Sequence, residues 1–425
     1  MISEVRRTVY IHINLDQLTH NINVLRSMLQ PKTGIIGVVK AGAYGHGSVI
    51  ISHHLKRIGV ERLAVGIVDE GIHLRKHHVK GPIHVFGNIQ SWEMHDCLRY
   101  NLIPNVSDET AILGMVDALN NLKTSKGDVD GNIDYESEVP QGSVNIKIDT
   151  GLFRNGCYPD DFPKLMQLSE DYEIHVDAVL THFVDSWEDK ELTKLQLERF
   201  LEITKHLKSL GIKRHIANSN AISRGFGTDL DLVRPGSSMY GLPPDNSDEI
   251  KAFGISPIAR MVAYPTLIKR VPKDTNIGYS SSYKTDKEEN IAVFSFGYAD
   301  GYCRNLTNKG FVIREKTGER CPVVGRVCMD AITVRVPEDT TLSEQFTIIS
   351  ADYDPHTSLT GIAHTVGGSV FELATHLSTR IPRLYTTRED HWNTSVTARS
   401  PNTYIKSWQA NPKFTVYHTS QYPLK

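Results

Sequence analysis

Short apolar runs alternate with longer amphipathic segments along the first part of the chain. Helical periodicity between the runs is clearest at Asp108–Leu122 and Leu192–Leu210, and the latter segment ends at Gly211. The apolar runs of strand length are Ile35–Val39, Leu63–Ile67, Ile83–Phe86, Leu102–Val106, Val144–Ile148, Val176–Leu180, His215–Ala217 and Leu232–Tyr240. Eight strands alternating with helices over about 210 residues predict a parallel (β/α)8 barrel. A doubly wound open sheet is the competing arrangement, but no Gly-x-Gly-x-x-Gly fingerprint follows the first run.

The pattern changes at about Phe253, where strand-like segments separated by turn residues replace the alternation. These segments are Ile258–Tyr264, Thr266–Val271, Ile291–Phe296, Cys321–Val327, Ile332–Val336 and Phe346–Ser350. We therefore predict an α/β fold, with a (β/α)8 TIM barrel at 12–250 and a mostly β C-terminal domain at 251–390 that residues 1–11 join. Residues 391–425 show no core-building period, and the polar stretch Lys123–Gly142 is predicted to be an exposed insertion.

Composition excludes several classes of protein. The chain of 425 residues is 40% hydrophobic and 23% charged, which is ordinary for a globular protein of two or three domains. Its formal net charge of −2 argues against nucleic acid as the main partner. No apolar run approaches the roughly 18–20 residues of a membrane span, and the N-terminal sequence lacks the apolar core of a secretion signal, so we expect a cytoplasmic protein. The five cysteines are scattered without a Cys-x-x-Cys pair, which favours reduced thiols and no structural metal site.

One lysine, Lys40, ends the first apolar run and is followed at once by a loop with three glycines and a tyrosine. A lysine desolvated at the end of a buried strand has a lowered pKa and can act as a nucleophile or as a Schiff-base amine. Gly42, Gly45 and Gly47 would let backbone N–H groups approach an anion just before a helix begins near Ser48. Taken alone, such a lysine is more often one that snorkels to solvent beside a simple turn.

Other polar groups follow the predicted barrel strands, and the reactive groups of a (β/α)8 barrel lie at these carboxyl ends. They are Lys40, Lys147 to Arg154, His182, His215 with Asn218 and Ser219, and Arg234 to Gly236. A Schiff-base lysine, several cations, a hydroxyl and glycine N–H groups together suit an aromatic cofactor that bears a phosphate. Pyridoxal phosphate, the usual electron sink for amino acid carbanions, fits this description.

The segment Lys40-Ala-Gly-Ala-Tyr-Gly-His-Gly resembles the cofactor-lysine signature of the alanine racemase family. Further motifs match in order: Lys147-Ile-Asp-Thr-Gly with Arg154, Thr181-His-Phe, Ala217-Asn-Ser, Val233-Arg-Pro-Gly, Gly297-Tyr-Ala-Asp-Gly, Val324-Gly-Arg-Val-Cys-Met-Asp and Arg380-Ile-Pro-Arg. The resemblance extends from about Thr8 to Tyr385. It implies an isomerase that uses pyridoxal phosphate to interconvert L-alanine and D-alanine, the D-enantiomer being a cell-wall precursor in bacteria.

The resemblance also implies individual roles at the cofactor. Lys40 would bind pyridoxal phosphate through a Schiff base and act as one acid/base group, with Tyr279 as the second. Two bases are the minimal design because racemisation removes a proton from one face of Cα and delivers one to the other. Arg234 would face the pyridine nitrogen, which would stay unprotonated because a guanidinium does not readily release a proton. The remaining cofactor-binding positions would be Tyr44, His182, Asn218, Ser219, Gly236 and Ser237.

The substrate and the partner subunit follow from the same resemblance. Arg154 would bind the substrate carboxylate or the phenolic oxygen of the cofactor, and Lys147 corresponds to a lysine that is often carbamylated in the family and orients Arg154. Tyr298 and Met329, with Tyr279, would enter the active site of a second subunit. The resemblance therefore implies a head-to-tail homodimer with two composite sites and a small amino acid as substrate.

Thr379 is the clearest departure from the family, because alanine racemases typically present a tyrosine before the residue that matches Arg380. That tyrosine helps to hold the phosphate and narrows the side-chain pocket, so its loss predicts a relaxed specificity. Asn155 also departs, since the family usually has leucine or a similar residue there. The main alternative is therefore a racemase acting mainly on serine, lysine or another larger amino acid.

Two remoter alternatives belong to other classes. Amino acid decarboxylases share the plan of a barrel followed by a β domain, but they usually place an acidic residue at the pyridine nitrogen, where this chain has Arg234. Non-enzymatic cofactor-binding proteins of the single-barrel type lack the second domain that this sequence predicts.

Overall fold

The computed structural model describes residues 7–124, 137–243, 252–387 and 415–418. Packing divides the chain into two units. The barrel unit consists of Ile22–Ala43 and Gly47–Met239, and the β unit takes the described residues of Met1–Asn21, Tyr44–His46 and Tyr240–Lys425.

Two sequence features fall largely outside the described residues, namely most of the Lys123–Gly142 stretch and most of the 391–425 extension. The C-terminal end of the Lys123–Gly142 stretch is described, and it packs on the barrel unit: Val139 is buried, and the Gln141 side chain donates to the Leu98 carbonyl at 2.7 Å. This end is therefore anchored at Val139, while Glu138, Pro140 and Gln141 are exposed.

Eight parallel strands form the barrel, which confirms the predicted fold. They are β2 (Gly34–Val38), β3 (Arg62–Val65), β4 (Ile83–Asn88), β5 (Ile103–Val106), β6 (Val144–Lys147), β7 (Val176–Leu180), β8 (Lys213–His215) and β9 (Leu232–Val233). The order runs from β2 to β8 in sequence, β9 lies beside β2, and a bridge between Asn218 and Arg234 joins the two ends. β9 is shorter than predicted because Pro235 has no N–H for the ladder, and a 3-10 helix follows at Ser237–Tyr240.

Helices connect the barrel strands as the amphipathic segments predicted. The connecting helices are Ser48–Arg57, Val68–Lys76, Met94–Arg99, Glu109–Thr124, Phe162–Asp171, Lys190–Thr204 and Ser219–Arg224, and the helix Leu15–Ser27 precedes β2. The predicted Leu192–Leu210 helix is an α-helix at Lys190–Thr204 continued by a 3-10 helix at Lys205–Leu210. The Asp189 carboxylate caps its start, and Gly211 ends it in the left-handed conformation (φ 73°) that glycine adopts without steric cost.

Polar side chains fill the barrel at the amino ends of its strands. The buried Arg62 donates to the Asp177 carboxylate at 2.7 Å, and Lys213 reaches the same carboxylate at 3.2 Å. The His84 ring lies 3.3 Å from the Arg62 guanidinium and accepts from the Asn145 amide at 3.0 Å. These contacts satisfy charges that would otherwise be costly inside the barrel, and they hold together strands that are distant in sequence.

The β unit contains three sheets. The strands are β1 (Val9–Asn14), β10 (Ala259–Ala263), β11 (Leu267–Val271), β12 (Asn276–Ile277), β13 (Tyr283–Lys284), β14 (Glu289–Phe294), β15 (Phe311–Arg314), β16 (Glu319–Pro322), β17 (Ile332–Val336), β18 (Phe346–Ile349), β19 (Arg383–Thr387) and β20 (Thr415–His418). The sheet orders are β16-β15-β18-β10-β1-β19-β20, β11-β14-β17 and β12-β13. The helices Leu359–Val366 and Val370–Thr375 lie between β18 and β19 in the sequence.

The N-terminal strand β1 lies inside the large sheet of the β unit. It pairs antiparallel with β10 and parallel with β19. Its side chains are buried on both faces at Val9, Tyr10 and Ile11, as expected for a central strand with neighbours on each side.

Candidate active site

The carboxyl ends of the barrel strands gather most of the candidate residues. Lys40 follows β2, Lys147 ends β6, His182 follows β7, and Arg234 follows β9. Asn218 is the N-cap of the Ser219–Arg224 helix, where its side chain accepts from the N–H of Ala221. The amino-end ion pairs lie at the opposite end of these strands, so one end of the barrel serves stability and the other collects the polar groups.

Arg234 lies buried at the centre of this end of the barrel. Its guanidinium donates to the carbonyls of Thr181 (2.8 Å) and Ile216 (2.9 Å) and to the Nδ1 atoms of His215 (2.6 Å) and His182 (3.2 Å). Burial lowers the pKa of Arg234 to about 9, which still leaves it protonated at neutral pH. The guanidinium is therefore a fixed cation with a fixed orientation.

The two histidines beside Arg234 are neutral. Burial first, and the Arg234 charge second, lower the pKa of His182 and of His215 well below the ordinary value. Since both Nδ1 atoms accept from a guanidinium that has no lone pair to offer, each imidazole carries its hydrogen on Nε2. The buried Nε2 of His215 has no hydrogen-bond partner among the described residues.

Three further cations lie around this cluster. Lys147 is buried, and its Nζ donates to the Asn155 side-chain oxygen. Burial, followed by the charges of Arg154 and Arg234, lowers the pKa of Lys147 to about 8. Lys40 keeps solvent contact, but partial desolvation and then the Arg154 charge lower the pKa of its amine. A site with this excess of positive charge suits an anionic ligand.

A cradle of donors lies between β9 and the Ser219–Arg224 helix. The Ser219 hydroxyl oxygen accepts from the backbone N–H of Gly236 at 2.9 Å and of Ser238 at 3.3 Å, which leaves its own hydrogen free to donate. The Ser238 hydroxyl is buried and has no partner among the described residues. Ser237, also buried, lies between them. The hydroxyl hydrogens of Ser219 and Ser238 are therefore unused donors held close together, which fit a phosphate.

The candidate residues of the β unit have different surroundings. The Tyr44 ring packs on Tyr240 at 5.2 Å between centroids and edge-on to Phe371 at 6.3 Å, and burial raises the pKa of Tyr44 to about 12. Tyr279, Tyr298 and Met329 instead have exposed side chains, at 69%, 41% and 54%. Large side chains this exposed in a folded unit are typical of a surface that another molecule covers.

Thr379 lies beside an ion-pair cluster of the β unit. It is exposed, and the next residue, Arg380, pairs with Asp330 at 2.6 Å and with the buried Asp300 at 3.4 Å. Asp300 also pairs with Arg7 at 2.7 Å. The cluster fixes the backbone on either side of Tyr298, whose N–H donates to the Cys328 carbonyl at 3.0 Å.

Sequence reasoning missed Glu70, in the first turn of the Val68–Lys76 helix. Its carboxylate accepts from the backbone N–H groups of Ala41 and Gly66, next to Lys40. The signal in the sequence was weak, because acidic residues are common in the first turn of a helix and Asp69 precedes it.

The barrel and the site together define a class of protein, an α/β-barrel enzyme with a lysine and a cradle of donors at the carboxyl ends of its strands. The chain belongs to the alanine racemase family, since residues 13–244 match the family model described as "Alanine racemase, N-terminal domain" and residues 258–385 match "Alanine racemase, C-terminal domain".

Individual relatives agree with this assignment. The alanine racemase of Carboxydothermus hydrogenoformans is 33% identical over 385 residues, covering 89% of this chain and 100% of the relative. The alanine racemase of Halothermothrix orenii is 33% identical over 395 residues, covering 91% and 98%. The solved alanine racemase of Clostridium difficile 630 superposes with a TM-score of 0.80 at 28% identity, covering 90% of this chain and 96% of that one. The Bacillus anthracis alanine racemase with bound L-Ala-P gives a TM-score of 0.78 at 28% identity and the same coverage.

Two further observations concern the cysteines and the possibility of a membrane-spanning helix. All five cysteines are free thiols. Within the described ranges, no helix combines the length and the apolar character that crossing a membrane requires.

Proposed function

We propose that the protein is a pyridoxal-phosphate-dependent racemase that interconverts L-alanine and D-alanine. The observation that carries the proposal is the buried Arg234 guanidinium, held by two neutral imidazoles at the barrel end that also carries Lys40. Membership of the alanine racemase family supports the reaction. In the decarboxylase alternative a carboxylate would occupy the position of Arg234.

The residues at the barrel end fit pyridoxal phosphate. The buried Ser238 hydroxyl, which has no partner in the part of the chain that the structure describes, suits its phosphate together with the cradle of Ser219 and Gly236. Lys40 supplies the amine for a covalent link. Ser237 and Asn218 are the other proposed phosphate-side residues of the barrel, and the support for Tyr44 in this role is the family resemblance. When bound, the cofactor withdraws electrons from the Cα of the attached amino acid and so acidifies its Cα–H bond.

Arg234 is the proposed partner of the pyridine nitrogen. There its guanidinium would donate a hydrogen bond and keep its proton, because its pKa, though lowered to about 9, lies well above that of a pyridine nitrogen. A cofactor held with that nitrogen unprotonated would favour return of the proton to Cα over side reactions. His182 and His215 support this role because they are neutral acceptors that fix the guanidinium without competing for its charge.

Two groups exchange protons with Cα in the proposed reaction. Lys40 serves one face, and partial desolvation, followed by the Arg154 charge, lowers its pKa and so favours the neutral amine that a base requires. Tyr279 of the partner subunit serves the other face. A phenol with an ordinary pKa of about 10 is a weak base at neutral pH, so it needs cations nearby, and Arg234 acting through His182 Nε2–H is the proposed source.

Arg154 is the proposed anchor for the substrate carboxylate. The guanidinium can form two parallel hydrogen bonds with a carboxylate, which fixes the orientation of Cα between the two bases. Lys147 lies close enough for the Arg154 charge to lower its pKa, and the Asn155 side-chain oxygen accepts a hydrogen bond from the Lys147 amine. We propose that this pair positions Arg154.

We also propose a head-to-tail homodimer. Large apolar side chains that are exposed lie in the loops after barrel strands, namely Ile67, Trp92, Phe153 and Val184. Tyr279, Tyr298 and Met329 are the exposed counterparts on the β unit, so a second copy would cover both sets. A cytoplasmic location and a role in supplying D-alanine for cell-wall synthesis complete the proposal, and for these the family resemblance is the support.

Turnover of a panel of L-amino acids tests the proposal. Purified protein is loaded with pyridoxal phosphate, and the D-enantiomers are separated by chiral chromatography. We expect alanine to be racemised and serine to be turned over within about a hundredfold of it, because Thr379 leaves room and a hydroxyl where a phenol ring would narrow the site. If alanine is turned over more than about a hundredfold faster than serine, the hypothesis of relaxed specificity fails, while the proposed racemase activity stands. No racemisation of any amino acid would remove the proposed function.

A further inference from the structure

The chain after Lys40 makes an unusual left-handed turn. Ala41 (φ 51°, ψ 48°), Gly42 (φ 62°, ψ 38°), Ala43 (φ 56°, ψ 52°) and Tyr44 (φ 53°) all have positive φ in succession. Only one of them is glycine, and residues with a Cβ are disfavoured in this region. Such a turn persists only where its surroundings hold it in place.

Two backbone hydrogen bonds close the turn, from the Ala43 N–H to the Val39 carbonyl at 2.8 Å and from the Gly47 N–H to the Gly42 carbonyl at 2.7 Å, and the Glu70 carboxylate holds it from outside. One oxygen accepts from the N–H of Ala41 at 2.5 Å, and the other accepts from the N–H of Gly66 at 2.8 Å. Ala41 begins the turn after β2, and Gly66 follows β3, so one side chain joins the carboxyl ends of two neighbouring strands. A Cβ placed on Gly66 would lie 3.6 Å from the Lys40 Cβ, which shows how closely this backbone approaches the lysine stem.

Glu70 also stands out by its charge. The charge of Arg154 acts on the Lys40 amine, and the Lys40 charge in turn contributes to the lowered pKa of Lys147 and of His182. Glu70 is the carboxylate that opposes Arg154, since its charge raises the pKa of Lys40 while Arg154 lowers it. The same side chain therefore shapes both the backbone and the electrostatic surroundings of the lysine.

We propose that Glu70 is a positioning residue for Lys40, fixing the left-handed turn that aims the amine and balancing the cations around it. This rests on the proposed function in so far as Lys40 is the cofactor lysine and a base of the racemase. The geometric part, that the carboxylate holds the turn, stands independently of any reaction.

The test compares Glu70→Gln and Glu70→Asp with the wild-type holoenzyme and with Asp231→Asn. Asp231 is a matched control because its carboxylate also accepts a backbone N–H, that of Arg214 at 2.8 Å, at the other end of the barrel. Glutamine keeps the size of the side chain but loses its charge. It also places an NH2 donor where one of the two accepting carboxylate oxygens of Glu70 stood. Neither Glu70→Gln nor Glu70→Asp leaves a large cavity, so both variants are expected to fold.

Three measurements are made on each holoenzyme. We expect Glu70→Gln to speed hydrogen exchange in the peptide that covers 40–44 by about tenfold, since one of the two clamping bonds is lost. The pH midpoint of the visible absorbance of the Lys40-bound cofactor should fall, because a negative charge near the nitrogen is removed. The kcat for alanine should fall by about tenfold or more with KM within about twofold, because a misaimed base slows the chemical step more than binding.

Asp231→Asn should leave all three unchanged. If Glu70→Gln leaves both the exchange rate of 40–44 and the absorbance midpoint at the wild-type values, the proposal is overturned, whatever the activity. If the wild-type enzyme does not racemise alanine, the proposed function fails, while the exchange measurement, which needs no turnover, still decides whether Glu70 holds the turn.

Discussion

At the residue scale, Arg234 depends on the shape of its guanidinium as much as on its charge. Its fork reaches two carbonyls and two imidazoles at once, at 2.6 to 3.2 Å. An ammonium on a flexible stem cannot match that planar arrangement. Replacing Arg234 by lysine should therefore be harmful even though the positive charge is retained.

We expect Arg234→Lys to lower kcat by at least about a hundredfold and to destabilise the protein by about 2–4 kcal/mol, because buried acceptors lose their donors. Thermal denaturation of the apoprotein and racemisation by the holoenzyme measure the two effects. Arg199→Lys, on the exposed side of the Lys190–Thr204 helix, is the control and should change neither. Wild-type stability in Arg234→Lys would contradict the argument from its four hydrogen bonds.

Lys147 is a second residue whose charge is costly where it lies. Burial and the neighbouring cations lower its pKa to about 8, so between about pH 8 and 10.5 the unfolded chain binds more protons than the native one. Stability should therefore rise with pH across this window, and the cost of the buried charge is fully present below it. Lys147→Met should stabilise the apoprotein at pH 7 by about 1–3 kcal/mol, and the gain should shrink as the pH rises from about 8 to 10.

Urea denaturation of both proteins at a series of pH values measures this difference. A gain that is independent of pH would show that packing, and not charge, distinguishes methionine from lysine here. The same substitution should raise KM for alanine, because Arg154 would lose a positioning neighbour.

At the scale of elements, ion pairs hold the amino ends of the barrel strands together, and the sequence alone does not show which charged residues pair. Burial raises the pKa of Asp177, but His84, Arg62 and Lys213 outweigh it, so the pKa lies below the ordinary value. The stabilisation from this carboxylate is present above its unfolded pKa of about 4 and is lost as the pH falls through the lower native value. The ion pair joins β3 to β7 and β8 across the barrel interior.

Asp177→Asn should destabilise the protein by about 3–5 kcal/mol near neutral pH, because Arg62 would be left as a buried charge without its carboxylate. Glu109→Gln, which breaks the exposed pair with Lys164, should cost under about 0.5 kcal/mol. Chemical denaturation at pH 7 compares the two. Equal small losses would mean that water reaches Arg62 and replaces its partner.

The elements also show what the sequence could and could not predict. Buried parallel strands are apolar on both faces, so all eight barrel strands appear as apolar runs, and Lys40 and Arg234 stand out as charges directly after them. Strands β12 and β13, of two residues each, are too short for any periodicity. Glu70 was missed because its partners are backbone N–H groups, which every residue but proline carries and which only the fold brings together.

At the scale of the whole molecule, the proposed dimer places the two bases on different chains. If Lys40 and Tyr279 of the partner subunit form one site, each dimer has two such sites, and a single substitution in every chain disables both. Lys40→Ala and Tyr279→Phe homodimers should each lose at least about a thousandfold in kcat, since each lacks one of two proton-transfer groups.

Co-expression of the two variants distinguishes this arrangement from a site within one chain. In a mixed dimer, one site carries both substitutions, while the other combines the intact Lys40 of one chain with the intact Tyr279 of the other. Random pairing makes about half of the dimers mixed, so about a quarter of wild-type activity should return. Differently tagged chains allow the mixed dimer to be purified, and its activity should approach about half of the wild-type value. Without recovery in that purified dimer, the two bases would have to come from the same chain, and the exposed Tyr279 would need another explanation.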